Sequence, residues 1–158
     1  MAEEGITALF LKTRSDRFAV EAGQVEALRR KETLYPARNG PPDLLGFLAL
    51  GEAAIPVLDL EIRLGLATPG ERKRGILLIL PPDIAPLSFR VDDVEGPVTL
   101  PWKQITLLPD LLREVQPRPL VWGLVWQEDI LLPLLDLGQV IPPEEISMLL
   151  SLAPIQDR

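Results

Sequence analysis

The sequence predicts a mainly β protein built as two small barrels side by side. Three observations carry this expectation. Roughly nine or ten short apolar runs are bounded by glycine, proline or acidic residues, which is how strands are punctuated. One hairpin segment occurs twice. A chain with so many short strands and few helices hides its sheet edges by closing into barrels.

The repeated segment organises the chain. Gly46 to Leu60 reads as a strand, a tight turn at Gly51-Glu52, a second strand and a stop. Asp59 is a good N-cap for the apolar turn Leu60 to Leu64, and Gly65 can close that turn in a left-handed conformation. Gly123 to Leu137 repeats the plan without a gap: Gly46 falls on Gly123, Pro56 on Pro133, Asp59 on Asp136. A proline cannot donate to a ladder, so each marks an edge or a bulge.

The remaining elements follow in order. Thr7 to Thr13 and Arg17 to Val20 form a hairpin about a turn at Ser15-Asp16, and Gly23 ends it. Gln24 to Arg30 reads as a short helix, with Val25 and Leu28 on one side and Glu26 and Arg30 on the other. Thr33 to Pro36 is extended, and Arg38 to Asp43 is a loop. After the first repeat, Ala67 to Lys73 is the best internal boundary. Gly75 to Leu80 and Ala85 to Val91 form a second hairpin, with Leu87, Phe89 and Val91 on one face and Ser88 and Arg90 on the other. Val94 to Pro101 adds a strand, and Asp110 to Val115 is a short loop helix at most. Gln139 can complete a capping box with Asp136. Glu144 to Leu152 is a C-terminal helix with its acids at the favoured end. One domain over 1–158 is expected, with halves of roughly 15–70 and 71–141 and a helix and tail over 142–158.

Composition excludes several classes of function. The net charge of −7 argues against nucleic acid and anionic membrane surfaces. Arg29-Arg30-Lys31 and Arg72-Lys73-Arg74 are flanked by acids and read as solvated runs. With neither cysteine nor histidine, no Cys/His zinc site and no Ser-His or Cys-His nucleophile can be built. The chain shows no phosphate-cradling glycine pattern, no run long enough for a membrane helix and no signal-peptide pattern at Met1 to Glu4. A cytoplasmic, non-enzymatic protein without metal or cofactor is the expectation. The pair Asp92-Asp93 cannot easily share a ligand, because strand neighbours face opposite ways. Asp59 and Asp136 read as caps. Trp122 and Trp126, with Leu124 between them, share one strand face and are read as core or as a partner hot spot.

In four stretches the chain resembles the CheW-like adaptor family of bacterial chemotaxis. They are Phe18-Ala19-Val20 with Val25 and Leu28; Gly46 to Leu60 with Arg63 to Leu66; Val91 to Gly96 with Val98, Leu100 and Pro101; and Gly123 to Leu137. The resemblance implies two SH3-like five-stranded barrel subdomains packed around a shared hydrophobic core, and no enzyme activity. It implies a scaffold coupling a chemoreceptor's cytoplasmic tip to the regulatory domain of a CheA-type histidine kinase. Carried over by position, Val25, Leu28 and Arg29 lie on the kinase side. Gly46, Leu48, Leu50, Gly51, Val91 and Val94 lie on the receptor side. The chain departs from the family at Leu48 and Leu50, where an Asn and an Arg are usual; the change trades charge for apolar surface. A divergent adaptor is implied. The alternative is a small-molecule-sensing or pilus- or motility-regulating double barrel.

Overall fold

The computed structural model describes residues 4–14, 16–30, 33–37, 39–69 and 75–154. The expected turn residue Ser15, Lys31, the loop start Arg38, Gly70 to Lys73 of the expected boundary, the basic run Arg72 to Arg74 and the tail 155–158 lie outside the described residues. The described chain forms two curled sheets, in two compact units that each draw on two stretches of sequence. One unit comprises Met1–Gln24 with Asp93–Val140, the other Val25–Asp92 with Ile141–Arg158. The expected division into consecutive halves, 15–70 and 71–141, is therefore corrected. Pairing carries the reason: the opening hairpin bonds to strands from the far end of the chain.

In the first unit, β1 (Gly5–Lys12) pairs with β2 (Arg17–Glu21), as the opening hairpin predicts. The second unit begins with β3 (Ala27–Arg30), β4 (Leu44–Leu50), β5 (Ala53–Asp59) and α1 (Leu60–Arg63). It continues with β6 (Ile76–Ile79) and β7 (Ser88–Val91). The chain then returns to the first unit with β8 (Asp93–Pro101), β9 (Ile105–Leu107), α2 (Asp110–Glu114), β10 (Val121–Gln127) and β11 (Ile130–Leu135). α3 (Pro143–Ser151) closes the second unit. The first sheet runs β8-β1-β2-β11-β10-β9, one strand more than the five expected; the second runs β3-β6-β7-β5-β4. The extra strand is β9, whose three residues are too few to carry a readable alternation.

Both repeats fold alike. Asp59 Oδ1 accepts from the Ile62 amide at 3.0 Å, and Asp136 Oδ1 from the Gly138 amide at 3.1 Å, so both are caps. β5 pairs in parallel with β7 only from Val57 to Asp59, and β11 with β2 only at Leu134 and Leu135. Pro56 and Pro133 therefore stand just before the second neighbour begins, where a missing N–H costs no ladder bond on that side. The opening glycines also have one cause. A Cβ on Gly46 would lie 2.6 Å from the Tyr35 carbonyl oxygen, and one on Gly123 would lie 3.2 Å from that of Thr106. In each copy a neighbouring backbone crosses too close for a side chain.

Three local expectations are corrected. Residues 24–30 are not helical: Ala22–Gln24 is a single 3-10 turn, and the Glu26 amide donates to the Ile79 carbonyl at 2.7 Å. From there Ala27 to Arg30 pairs with β6 as the edge strand β3. Seven residues of helical spacing are a weak nucleus, and the open edge of β6 offers a ladder instead. Ser88 and Arg90, expected to face away from Leu87, Phe89 and Val91, are also buried, because α1 packs on β7. The capping box is absent: the Asp136 amide donates to the Leu120 carbonyl, and Gln139 Oε1 accepts from Arg118 Nη2 at 2.9 Å.

Each unit has its own core. Phe10, Ala19, Leu100, Val125 and Leu134 centre the first, and Leu48, Val57, Leu77 and Ile79 are central to the second. Burying each such aliphatic or aromatic side chain contributes roughly 1.5–3 kcal/mol, before chain entropy is subtracted. α3 is fixed to the second unit by buried Leu149 and by charge: the Arg63 guanidinium donates to Asp43 and to Glu145, two bonds each.

Candidate partner surfaces

The residues singled out on the kinase side lie around β3. Val25 is half-buried between the 3-10 turn and the strand. Leu28, opposite Leu78 in the ladder, is 47 % exposed. Ala27 packs against the core of its unit and Leu28 does not, as strand alternation requires. Arg29 is exposed, opposite Leu77. The set is therefore an apolar spot on a sheet edge rather than the face of a helix.

The receptor-side residues separate by accessibility. Leu48 and Val91 are each 1 % exposed and are interior residues of the second unit; Gly46 is buried under Tyr35. These three are interior positions, because their strands carry the core on that face. Leu50 is half-buried against the core at the end of β4, and Gly51, at φ +60°, forms the exposed turn. Val94, in the first unit, lies opposite Leu11 on β8 and is half-buried.

The tryptophans do not share a face. The β10–β11 ladder slips between Val121 and Gly123, so alternation is broken there. Trp122 packs against the core of the first unit, whereas Trp126 is 56 % exposed. The core reading fits Trp122.

Ion pairs and polar bonds that spacing could not show hold these surfaces. Arg90 donates to buried Asp59 at 3.4 Å and lies 3.1 Å from Asp92. Asp93 Oδ1 accepts from the Val94 amide, so the two neighbouring acids are engaged separately. Gln24 donates to Asp136 at 3.1 Å and accepts from the Leu137 amide at 2.9 Å. Thus the aspartate ending each repeat is held by a side chain from, or just after, the strand parallel to it. Arg63 has a displaced pKa. Burial opposes its charge, but the hydrogen bonds that it donates to Glu145 and Asp43 outweigh that and raise its pKa further. Among the described residues no three carboxylates cluster as a metal site, and no helix is long and apolar enough to cross a membrane.

The accessible features are therefore apolar sheet edges and hairpin ends on two curled β units. The chain belongs to the CheW-like domain family, whose model matches residues 7–145. Members of this family are adaptors of chemosensory signalling. It is similar to a chemotaxis protein CheW of Rhizobium meliloti (strain 1021), with 23% identity over 141 residues, covering 89% of this chain and 90% of that protein. Its fold is similar to that of the scaffolding protein TtCheW from Thermoanaerobacter tengcongensis, with a TM-score of 0.69 at 18% identity. That match covers 84% of this chain and 90% of the other. The two curled sheets correspond to the two-subdomain SH3-like fold of that neighbour.

Proposed function

We propose that the protein is a non-catalytic cytoplasmic adaptor that couples a chemoreceptor tip to the regulatory domain of a CheA-type histidine kinase. Family membership carries the adaptor reading. The observation that directs the kinase contact to one place is β3, an edge strand with an exposed leucine at its centre. An SH3-like kinase domain meets it sheet to sheet, with Leu28 at the middle of the patch and Val25 and Arg29 at its border. On the receptor side, Leu50 and Gly51 make contact at the end of the β4–β5 hairpin. Leucine at position 50 presents apolar surface where the family's arginine would present charge, so this contact is less sensitive to salt than an arginine contact.

Pull-down and calorimetry with a CheA-type regulatory domain test the first contact. Leu28→Asp should abolish binding while leaving the melting temperature unchanged. Binding retained by that variant removes β3 from the interface. For the second contact, Leu50→Glu should lose a receptor-tip fragment and keep the kinase domain.

A further inference from the structure

We propose that the end of the β10–β11 hairpin is a docking site for an amphipathic helix whose apolar stripe is flanked by lysine or arginine. Trp126 and Leu131 stand directly opposite each other in the ladder and are 56 % and 42 % exposed. Ile130, on the next rung, is exposed as well. β9 reaches along β10 only to Val125, and β2 pairs with β11 only from Leu134. Among the described residues no strand pairs beside the last two rungs, which project from the sheet.

The other repeat shows that the fold does not ask for this surface. Aligned without a gap, Trp126 and Leu131 correspond to Ala49 and Ala54, which are paired in the same way in β4–β5. Two alanines suffice to make that rung. The turns differ in the same direction. The β4–β5 turn relieves its left-handed position with Gly51 at φ +60°. The β10–β11 turn instead holds Glu128 at φ +49° and Asp129 at φ +65°. A two-residue turn of this kind takes φ above zero at both central residues, and at a glutamate that conformation is unfavourable. Here it sets two exposed carboxylates beside an exposed tryptophan.

The chemistry of that end selects the occupant. A Trp–Leu pair bordered by two acids complements an apolar stripe bordered by cations. A strand finds little edge to add to: beyond β9 the open edge of β10 is only Trp126 and Gln127, and the open edge of β11 before β2 is Ile130 to Pro133, ending in a proline that cannot donate. A helix needs no backbone pairing and engages through side chains three and four apart. This site is independent of the kinase and receptor contacts proposed above, since none of their residues lies on this hairpin.

The probe is a synthetic leucine–lysine amphipathic helix, with a leucine–glutamate helix of the same spacing as its counterpart. With Trp102 and Trp122 replaced by phenylalanine, Trp126 is the sole tryptophan and reports on itself. The leucine–lysine helix should bind and shift Trp126 emission to the blue; the leucine–glutamate helix should not bind. Calorimetry on the unaltered protein should show the same preference. Trp126→Ala with Leu131→Ala should weaken binding at least tenfold with the fold retained, as the alanine pair of the other hairpin requires. Glu128→Lys with Asp129→Lys should weaken it severalfold, whereas Asp83→Lys, on an exposed turn of the other unit, should not. Equal binding of both helices, no shift at Trp126, or equal weakening by Asp83→Lys would overturn the proposal. So would self-association of the unaltered protein in sedimentation that is lost in Trp126→Ala, which would assign this face to a second copy.

Discussion

Replacing Arg63 with leucine should unfix α3 and destabilise the second unit. Arg63 occupies the last turn of α1, where a cation is favoured. Its Nε donates to Asp43 Oδ2 at 2.5 Å and its Nη2 to Asp43 Oδ1 at 3.2 Å. Nη1 and Nη2 donate to the two oxygens of Glu145 at 3.0 and 2.5 Å. The side chain of Asp43 is only 6% exposed, so removing the guanidinium strands a carboxylate with little access to water. Breaking a buried pair in this way costs roughly 3–5 kcal/mol. Glu145 and Arg63, at 24% and 19%, keep more water, which places the cost near 3 kcal/mol, the lower end of that range. For a chain of this size that is a fall in melting temperature of roughly 6–12 °C. Thermal unfolding followed by circular dichroism reads it. Adding Asp43→Asn to Arg63→Leu should restore about half, because the stranded charge is gone. The pKa of Arg63 is raised, so its contribution is fully present below the ordinary arginine value and is lost only at still higher pH. Unfolding should therefore show no loss of this interaction through arginine deprotonation across the neutral and moderately alkaline range. A melting temperature within about 2 °C of the parent for Arg63→Leu, or no recovery in the double variant, would refute the reasoning.

Three further outcomes follow from the same structure. Ser88→Ala should raise stability by about 1 kcal/mol in chemical denaturation, because the Ser88 hydroxyl is fully buried and finds no hydrogen-bond partner among the described residues. Gly46→Ala should cost roughly 2–3 kcal/mol, since its Cβ would meet the Tyr35 carbonyl at 2.6 Å in a left-handed conformation; a cost below 1 kcal/mol would show that this crossing can relax. Asp129→Gly should raise the melting temperature by roughly 2–4 °C through relief of a left-handed residue, while weakening the leucine–lysine helix.

The repeated hairpin was legible because its signals are local. Gly46, Pro56 and Asp59 each constrain one backbone position, and Gly123, Pro133 and Asp136 repeat them at one spacing. The caps at Asp59 and Asp136, the turn after α1 and the start of α3 follow from neighbours within four residues. What could not be read is what depends on distant partners. Val25 and Leu28 have helical spacing, yet Ala27–Arg30 is a strand because β6 lies beside it, nearly fifty residues along the chain. Gln24 meets Asp136 and Arg63 meets Glu145 across still longer separations, and no local pattern marks either pair. The accessible part of the site was read unevenly for the same reason. Leu28 was singled out by the family resemblance and Trp126 as one of two tryptophans expected on one face; Leu48 and Val91 were placed at a receptor groove by the same resemblance, although the strands around them make them interior.

The duplication reaches further than the hairpin, and that yields a final test. Tyr35 bridges Phe47 beside β4, as Thr106 pairs with Leu124 beside β10, and Phe47 falls on Leu124 when Gly46 is set on Gly123. The parallel pairs β5–β7 and β11–β2 correspond as well, down to a side chain that holds the final aspartate. Differences between equivalent rungs then separate what the architecture needs from what one copy has added. If the rungs are equivalent, Ala49→Trp with Ala54→Leu should be accepted by β4–β5, because β10–β11 already carries that pair. Stability should change by no more than about 1 kcal/mol, the usual size of a cross-strand pair. The variant should also acquire weak affinity for the leucine–lysine helix, weaker than at the original site because its turn carries Gly51-Glu52 instead of two acids. Loss of cooperative unfolding in this variant would mean that the alanines are required for packing, and the comparison that isolates Trp126 and Leu131 would fail with it.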